Sequence, residues 1–180
     1  IVNTDGKLKA YNTDYGAIAD LITSHALDCT SSIIILGSGG MAKAVGAAFR
    51  DAGFAAGTLV ARNMETGKSL ASELGYEWKP DVSGLAADII VNVTPIGMSS
   101  SSAESELAFP EATIRRANVV FDVVAFPSET PLIRHARSLS KPVVTGAEVI
   151  ALQAAKQFEL YTGLRPTADQ VARASKYSRQ

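Results

Sequence analysis

At Ser32-Ile33-Ile34-Ile35-Leu36-Gly37-Ser38-Gly39-Gly40-Met41-Ala42, a run of β-branched residues meets a cluster of glycines, and this stretch decides the fold of the 180-residue chain. Together with the Ala-rich segment that follows, it predicts a strand, a tight turn and a helix start, the opening of a dinucleotide-binding βαβ unit. In the spacing Gly37-x-Gly39-x-x-Ala42, the first small residue permits the turn, the second lets backbone N–H groups approach a pyrophosphate, and the third keeps the helix close to the strand. An ordinary glycine-rich turn is the alternative.

The next strand indicates which dinucleotide is bound. Thr58-Leu59-Val60-Ala61 is apolar and ends at Arg62-Asn63. NAD-specific folds place an acidic residue there to bind the ribose 2′-hydroxyl, whereas an Arg suits the 2′-phosphate of NADP. We therefore predict NADP, with NAD as the alternative and a solvated Arg62 as the simpler interpretation. Glu65 is interpreted as first-turn charge on the following helix.

Apolar strands and helices alternate through the rest of the chain. Further strands are predicted at 88–93, 118–124 and 142–145, and helices at 40–52, 65–74, 147–161 and 167–176. This pattern predicts an α/β fold, a Rossmann-type doubly wound parallel sheet with helices on both faces. Ahead of it, Asp5-Gly6 predicts a hairpin, and Asn12-Thr13-Asp14 is the candidate cap of a helix predicted at 15–24. The predicted units are a hairpin and helix (1–30), the Rossmann domain (31–146) and C-terminal helices (147–180).

Ligands of such sheets bind at the carboxyl ends of the strands. Three further segments are predicted to lie there: Asn92-Val93-Thr94-Pro95-Ile96-Gly97-Met98, Asp122-Val123-Val124 and Thr145-Gly146. Each alone is compatible with a plain strand exit. Their shared location predicts that they contribute to one site.

The composition excludes several classes of function. Hydrophobic residues make up 47% of the chain, enough for a sizeable core, and the net charge of -1 without a Lys/Arg run argues against nucleic-acid binding. The sequence contains no stretch of transmembrane length and no signal-peptide pattern. The single Cys29 excludes an internal disulfide, and no Cys/His cluster has metal spacing. These features predict a soluble cytoplasmic protein that binds neither membranes nor metals.

Together, the motifs resemble the shikimate/quinate dehydrogenase family, in particular its divergent shikimate dehydrogenase-like members, and the resemblance extends over almost the whole chain. The matching elements are Asn12-Thr13-Asp14, Gly37-Ser38-Gly39-Gly40, Ala61-Arg62-Asn63, Asn92-x-Thr94-Pro95-x-Gly97-Met98, Asp122 with Pro127 and Thr130-Pro131, and Gly146 with Gln153-Ala154.

This resemblance implies an NADP-dependent oxidoreductase that reduces 3-dehydroshikimate to shikimate, a step of chorismate and aromatic amino acid biosynthesis, although some members use quinate or NAD. The reaction needs a general acid. The family uses a Lys paired with an Asp, which Asp14 matches as the catalytic residue, and Thr13, Asp14 and Gln153 match substrate-binding positions. For Thr13 and Asp14, helix capping is the alternative. The implied cofactor-binding residues are Gly37, Ser38, Gly39, Gly40, Met41, Ala42, Arg62, Asn63, Thr94, Pro95, Val123 and Gly146.

The chain departs from the family pattern at three positions. Ala125 stands where the family carries a substrate-contacting Tyr, which implies a looser fit to the substrate, and Glu148 and Val149 replace a Gly and a Met. The resemblance also implies a preceding N-terminal substrate domain that holds the catalytic Lys. We therefore expect this chain to be the NADP-binding half, which binds NADP but does not turn over shikimate alone.

Two alternatives remain open at this point: a non-catalytic NADP(H)-binding module, and another two-domain oxidoreductase such as a relative of methylene-tetrahydrofolate dehydrogenase or glutamyl-tRNA reductase. The presence of both Asp14 and Gln153 argues against the first, because a pure sensor needs neither, and Asn12-Thr13-Asp14 with Thr130-Pro131 argues against the second. The helices beginning near Tyr15 and Ala147 are expected to expose their outer apolar positions. Such a surface predicts self-association, with a homodimer as the expected form.

Overall fold

A six-stranded parallel sheet and a separate hairpin make up the strands of the computed structural model, which describes residues 1–177. The strands are β1 (Val2–Thr4), β2 (Lys7–Lys9), β3 (Ile33–Leu36), β4 (Gly57–Val60), β5 (Glu77–Lys79), β6 (Ile89–Asn92), β7 (Val119–Asp122) and β8 (Val143–Thr145). The helices are α1 (Thr13–Ser24), α2 (Gly40–Asp51), α3 (Met64–Leu74), α4 (Glu111–Arg116), α5 (Pro131–Ser138), α6 (Gly146–Thr162) and α7 (Ala168–Tyr177).

The order of the sheet is β5-β4-β3-β6-β7-β8, and every pairing in it is parallel. The chain therefore runs outward from β3 to one edge, returns to pair β6 with β3, and continues to the other edge. This is the doubly wound order of Rossmann folds, in which ligands bind where the direction reverses, here between β3 and β6. The predicted fold class is confirmed.

Helices cover both faces of the sheet. Buried side chains of α1, α2, α3 and α6 form one core with β3, β6 and β7, and it includes Phe49 and Phe54, whose ring centroids are 4.9 Å apart. Residues of α4 and α5 form a second core on the opposite face, around Ile114 and Leu132. With apolar side chains buried on both faces, the strands consist of nearly continuous apolar runs.

The predicted Asp-Gly hairpin is confirmed, and the predicted cap of α1 is confirmed at Asn12 but not at Asp14. Asp5 and Gly6 both adopt positive φ, as an Asp-Gly hairpin turn requires, and Thr167 accepts a hydrogen bond from the Gln170 N–H at the start of α7. The cap of α1 is Asn12, whose side chain accepts the Tyr15 N–H at 3.0 Å. Asp14 therefore does not cap the helix, and its carboxylate contacts another element. Of the predicted C-terminal helical unit, residues 178–180 lie outside the described part.

The expectation of exposed apolar faces on two helices is confirmed for α6 and wrong for α1. Ile150 and Phe158 of α6 are about half exposed, at 50% and 49%. The apolar residues of α1 are buried instead, because α1 packs between α2 and α6. Within residues 1–177, no helix combines the length and the apolar character needed to cross a membrane.

Candidate functional site

The glycine loop between β3 and α2 is closed on one side and open on the other. Gly37 has a φ of +129°, and a Cβ there would lie 2.8 Å from Cγ2 of Val93, so the turn requires glycine. A Cβ on Gly39 or Gly40 would meet nothing within 4 Å. Gly39 is the N-cap of α2 and forms no side-chain capping hydrogen bond. Ala42, in the first turn of α2, is fully buried. The backbone N–H groups at this helix start therefore face open space that suits an anion.

Arg62 follows β4 directly and is exposed. Among residues 1–177 it forms no hydrogen bond or ion pair with another side chain, so its guanidinium is available to a ligand. The next residue, Asn63, caps α3 by accepting the Thr66 N–H at 3.0 Å. The Thr66 hydroxyl lies 2.9 Å from that of Ser38, which joins the glycine loop to α3.

A cleft of about 460 Å³ lies between the glycine loop and α3. Arg62 does not line it, but stands one residue before the cap of α3. Lys43 and Thr66 line the cleft and are absent from the sequence prediction; both lie in or near the first turn of a helix that follows a predicted cofactor segment. The lining residues are Ser38, Gly39, Gly40, Lys43, Glu65, Thr66, Ser69, Leu70 and Glu73.

A buried polar network joins the exits of β6 and β7. The Asp122 carboxylate accepts the Asn92 amide N–H at 3.0 Å, the Val124 backbone N–H at 3.1 Å and the Thr130 hydroxyl at 2.7 Å. The Asn92 side-chain carbonyl accepts both the N–H and the hydroxyl of Thr94. Burial raises the pKa of Asp122 to about 6, although the hydrogen bonds from the three donors each lower this pKa.

The start of α6 packs tightly against the exit of β7. A Cβ on Gly146 would collide with the backbone of Val123 and Val124, so this junction requires glycine. Thr145 and Glu148 form a capping box there, and the other Glu148 oxygen lies 2.9 Å from Nε2 of His25, the C-cap of α1. The exposed Pro95 follows Thr94 in the exit of β6.

The predicted substrate residues come together between α1 and α6. The Gln153 amide donates to Asp14 Oδ1 at 2.7 Å, and the Gln157 amide lies 3.5 Å from the Thr13 hydroxyl. The second Asp14 oxygen has no hydrogen-bond partner within residues 1–177. Gln153 lies seven residues after Gly146, about 10 Å along the helix axis. Helix α6 thus links the strand exits to the Asp14 carboxylate.

Comparisons with known proteins were made by sequence and by structure. No family model matches the chain. It is 50% identical over 179 residues to the shikimate dehydrogenase-like protein of Haemophilus influenzae, a match that covers 99% of this chain and 66% of that protein. It is 32% identical over 175 residues to a shikimate dehydrogenase (NADP(+)) of Dehalococcoides mccartyi, covering 90% of this chain and 60% of that protein. The chain thus spans 60% to 66% of the length of these curated relatives.

Three solved structures share the fold. A shikimate 5-dehydrogenase-like protein superposes with a TM-score of 0.96 at 50% identity, covering 99% of this chain and 66% of that one. Shikimate 5-dehydrogenase of Thermus thermophilus, in complex with NADP(H) and shikimate, gives 0.80 at 28% identity over 98% and 66% of the two chains. Quinate dehydrogenase of Corynebacterium glutamicum, in complex with NAD, gives 0.80 at 27% over 93% and 62%. The chain belongs to the shikimate dehydrogenase-like family.

Proposed function

We propose that this chain binds NADP(H) and serves an NADP-dependent oxidoreductase that interconverts 3-dehydroshikimate and shikimate. The single observation that carries the proposal is the open start of α2, where nothing would contact a Cβ on Gly39 or Gly40. It lies beside β6, where the winding of the sheet reverses. Relatives in the same family are named for NADP(+), and one solved neighbour holds NADP(H) and shikimate.

The residues of the site suit each part of NADP. Backbone N–H groups of Gly39, Gly40 and Met41 would hold the pyrophosphate, and Ser38 and Asn63 would fix the loop around it. The free Arg62 guanidinium would take the 2′-phosphate, since its planar donors match phosphate oxygens. Thr94, Pro95, Val123 and Gly146 would border the nicotinamide end. The bound cofactor supplies or accepts the hydride.

Asp14 and Gln153 would orient the substrate. Gln153 already donates to one Asp14 oxygen, so the other is free to accept a hydroxyl of a polyol or the N–H of a cationic acid. No lysine within residues 1–177 forms an ion pair with Asp14, although the proton for the alkoxide needs a donor near it. We therefore expect this chain to bind NADP without turning over shikimate.

Calorimetric titration of the chain with NADP and NAD tests the proposal. We expect NADP to bind more tightly than NAD, and Arg62→Ala to remove at least about tenfold of the NADP affinity while leaving that for NAD unchanged. Arg115→Ala is the matched control, because Arg115 is also exposed but lies in α4, which leads into the opposite, amino edge of the sheet.

Three results would count against the proposal. Equal affinity for the two dinucleotides would remove Arg62 as the phosphate ligand and favour the NAD alternative. An equal loss in Arg115→Ala would show a non-specific charge effect. Absence of binding for both would remove the dinucleotide site.

A further inference from the structure

The network around Asp122 holds two loops in place. Asn92 fixes the exit of β6 by accepting from Thr94 and by donating to the Ile96 carbonyl at 3.1 Å. Asp122 fixes the exit of β7 through the Val124 N–H, and the start of α5 through the Thr130 hydroxyl. The hydrogen bond between Asn92 and Asp122 joins the two exits at residues that are register partners in the sheet.

These two exits are the surfaces against which the neighbouring glycine positions pack. A Cβ on Gly37 would lie 2.8 Å from Val93 Cγ2 and 3.3 Å from the Val93 carbonyl oxygen. One on Gly146 would collide with the carbonyls of Val123 and Val124. A shift of either exit must therefore move the glycine loop or the start of α6, because neither junction has spare room.

We propose that Asp122 is a positioning residue for the candidate dinucleotide site, holding the exits of β6 and β7 where the glycine loop and α6 require them. It acts through Asn92, Val124 and Thr130 rather than by touching the ligand. The inference rests on the proposed function, since it assumes that the glycine loop binds the dinucleotide.

The ionised carboxylate suits this role. It receives three donors, and a protonated carboxyl would add an O–H among groups that are already donating to it. The facing groups are neutral on every side: Asn92 from β6, the Val124 N–H, Thr130 from α5, and Thr145 as register partner in β8. Burial raises the pKa of Asp122 to about 6, so the carboxylate is ionised at pH 7.5 and largely protonated at pH 5.

The test compares NADP affinity in the wild-type chain and in Asp122→Asn at pH 7.5 and pH 5. At pH 7.5 we expect the variant to bind about tenfold more weakly. At pH 5 the ratio of the two dissociation constants should approach one, because the wild-type carboxyl is then also neutral. Protonation of the NADP phosphate cancels in this ratio.

Asp88→Asn is the matched control. Asp88 also joins two strands, by accepting the N–H and hydroxyl of Ser32 at 2.9 and 2.7 Å, but at the amino edge of the sheet. We expect it to lower stability and to leave NADP affinity within about twofold. Two variants of Thr130 keep the test independent of whether Asp122→Asn folds. Thr130→Val should weaken NADP binding at pH 7.5, whereas Thr130→Ser keeps the hydroxyl and should bind NADP as the wild-type chain does.

The outcomes separate the inference from the proposed function. A ratio that stays the same at both pH values, or equal losses in Asp88→Asn and Asp122→Asn, would overturn the positioning role while leaving the dinucleotide site in place. The positioning role would also be overturned if Asp122→Asn and Thr130→Val both bound NADP as tightly as the wild-type chain. Absence of wild-type binding would overturn both.

Discussion

Gly37 and Gly39 lie two residues apart, and the structure explains them differently. Gly37 combines a positive φ with a wall formed by Val93, so the fold itself needs a residue without a side chain there. Gly39 has a φ of -79°, which any residue adopts, and open space around it. What glycine provides at Gly39 is room for a ligand rather than a fit to the protein.

Gly37→Ala and Gly39→Ala should therefore separate stability from binding. We expect Gly37→Ala to lower the free energy of unfolding by about 2 kcal/mol or more, through strain and the contact with Val93. Gly39→Ala should cost no more than about 1 kcal/mol as a poorer helix cap, and should abolish NADP binding. Thermal unfolding and calorimetry of the two variants check this. A Gly39→Ala chain with full NADP affinity would contradict the assignment of the loop.

Asp122 gives the stability of the chain a distinctive pH dependence. Its pKa is about 6 in the folded chain, above the ordinary value of 3.8, so between pH 4 and 6 the folded state binds more protons than the unfolded state. The free energy of unfolding contributed by this group therefore falls as the pH rises through that window, by about 3 kcal/mol in all.

In Asp122→Asn, the free energy of unfolding should not show this fall between pH 4 and 6, because the amide does not titrate. Denaturant unfolding of both chains at several pH values from 4 to 7 measures it, and the difference between the two chains removes the contributions of the other carboxyls. Parallel curves for the two chains would show that Asp122 ionises normally.

At the scale of elements, α6 has two unlike sides. One side packs against α1 and carries Gln153 beside Asp14 and Lys156 beside Asp20, at 2.8 Å. The other leaves Ile150 and Phe158 half exposed, next to an α7 helix that buries none of its described residues. An apolar face of this kind on a surface helix usually indicates an interaction surface.

We expect this face of α6 to cause self-association and binding of hydrophobic dyes. Ile150→Ser with Phe158→Ser should reduce both, because these side chains supply the exposed apolar area. Leu8→Ser is the matched control, since Leu8 is exposed to a similar or greater degree in the hairpin. Sedimentation velocity and dye fluorescence measure the effect, and a wild-type chain that is monomeric and binds no dye would contradict it.

At the scale of the whole molecule, the sequence was sufficient for most strands of the sheet but not for its edge strand β5 or for helix α5. The apolar runs of β3, β4, β6 and β7 were predicted because strands buried on both faces carry a continuous signal. Strand β5 was missed, since Glu77-Trp78-Lys79 is a short edge strand with two charged residues. Helix α5 was missed although Thr130-Pro131 is a good start signal, because its eight residues include Arg134, His135 and Arg137.

The candidate site divides in the same way. The glycine loop and Arg62 were accessible from local patterns, and Asp14 and Gln153 were accessible as substrate residues from a family resemblance. The hydrogen bond that joins Asp14 to Gln153 was not predicted. The network of Asn92, Asp122 and Thr130 was not, because these residues are distant in sequence and meet only through the strand register and the turn into α5. The sequence places Asn92 and Asp122 at strand ends, but it does not indicate which polar side chains contact each other.

The central claim is that the glycine loop of this chain binds NADP, and mapping backbone amide shifts by NMR during an NADP titration tests it most directly. We predict that the largest shifts fall on Gly39, Gly40 and Met41, with a second group at Arg62 and Asn63. Shifts confined to α6 and α7 would contradict the claim. So would the absence of shifts at about millimolar NADP, a concentration that reveals even weak binding.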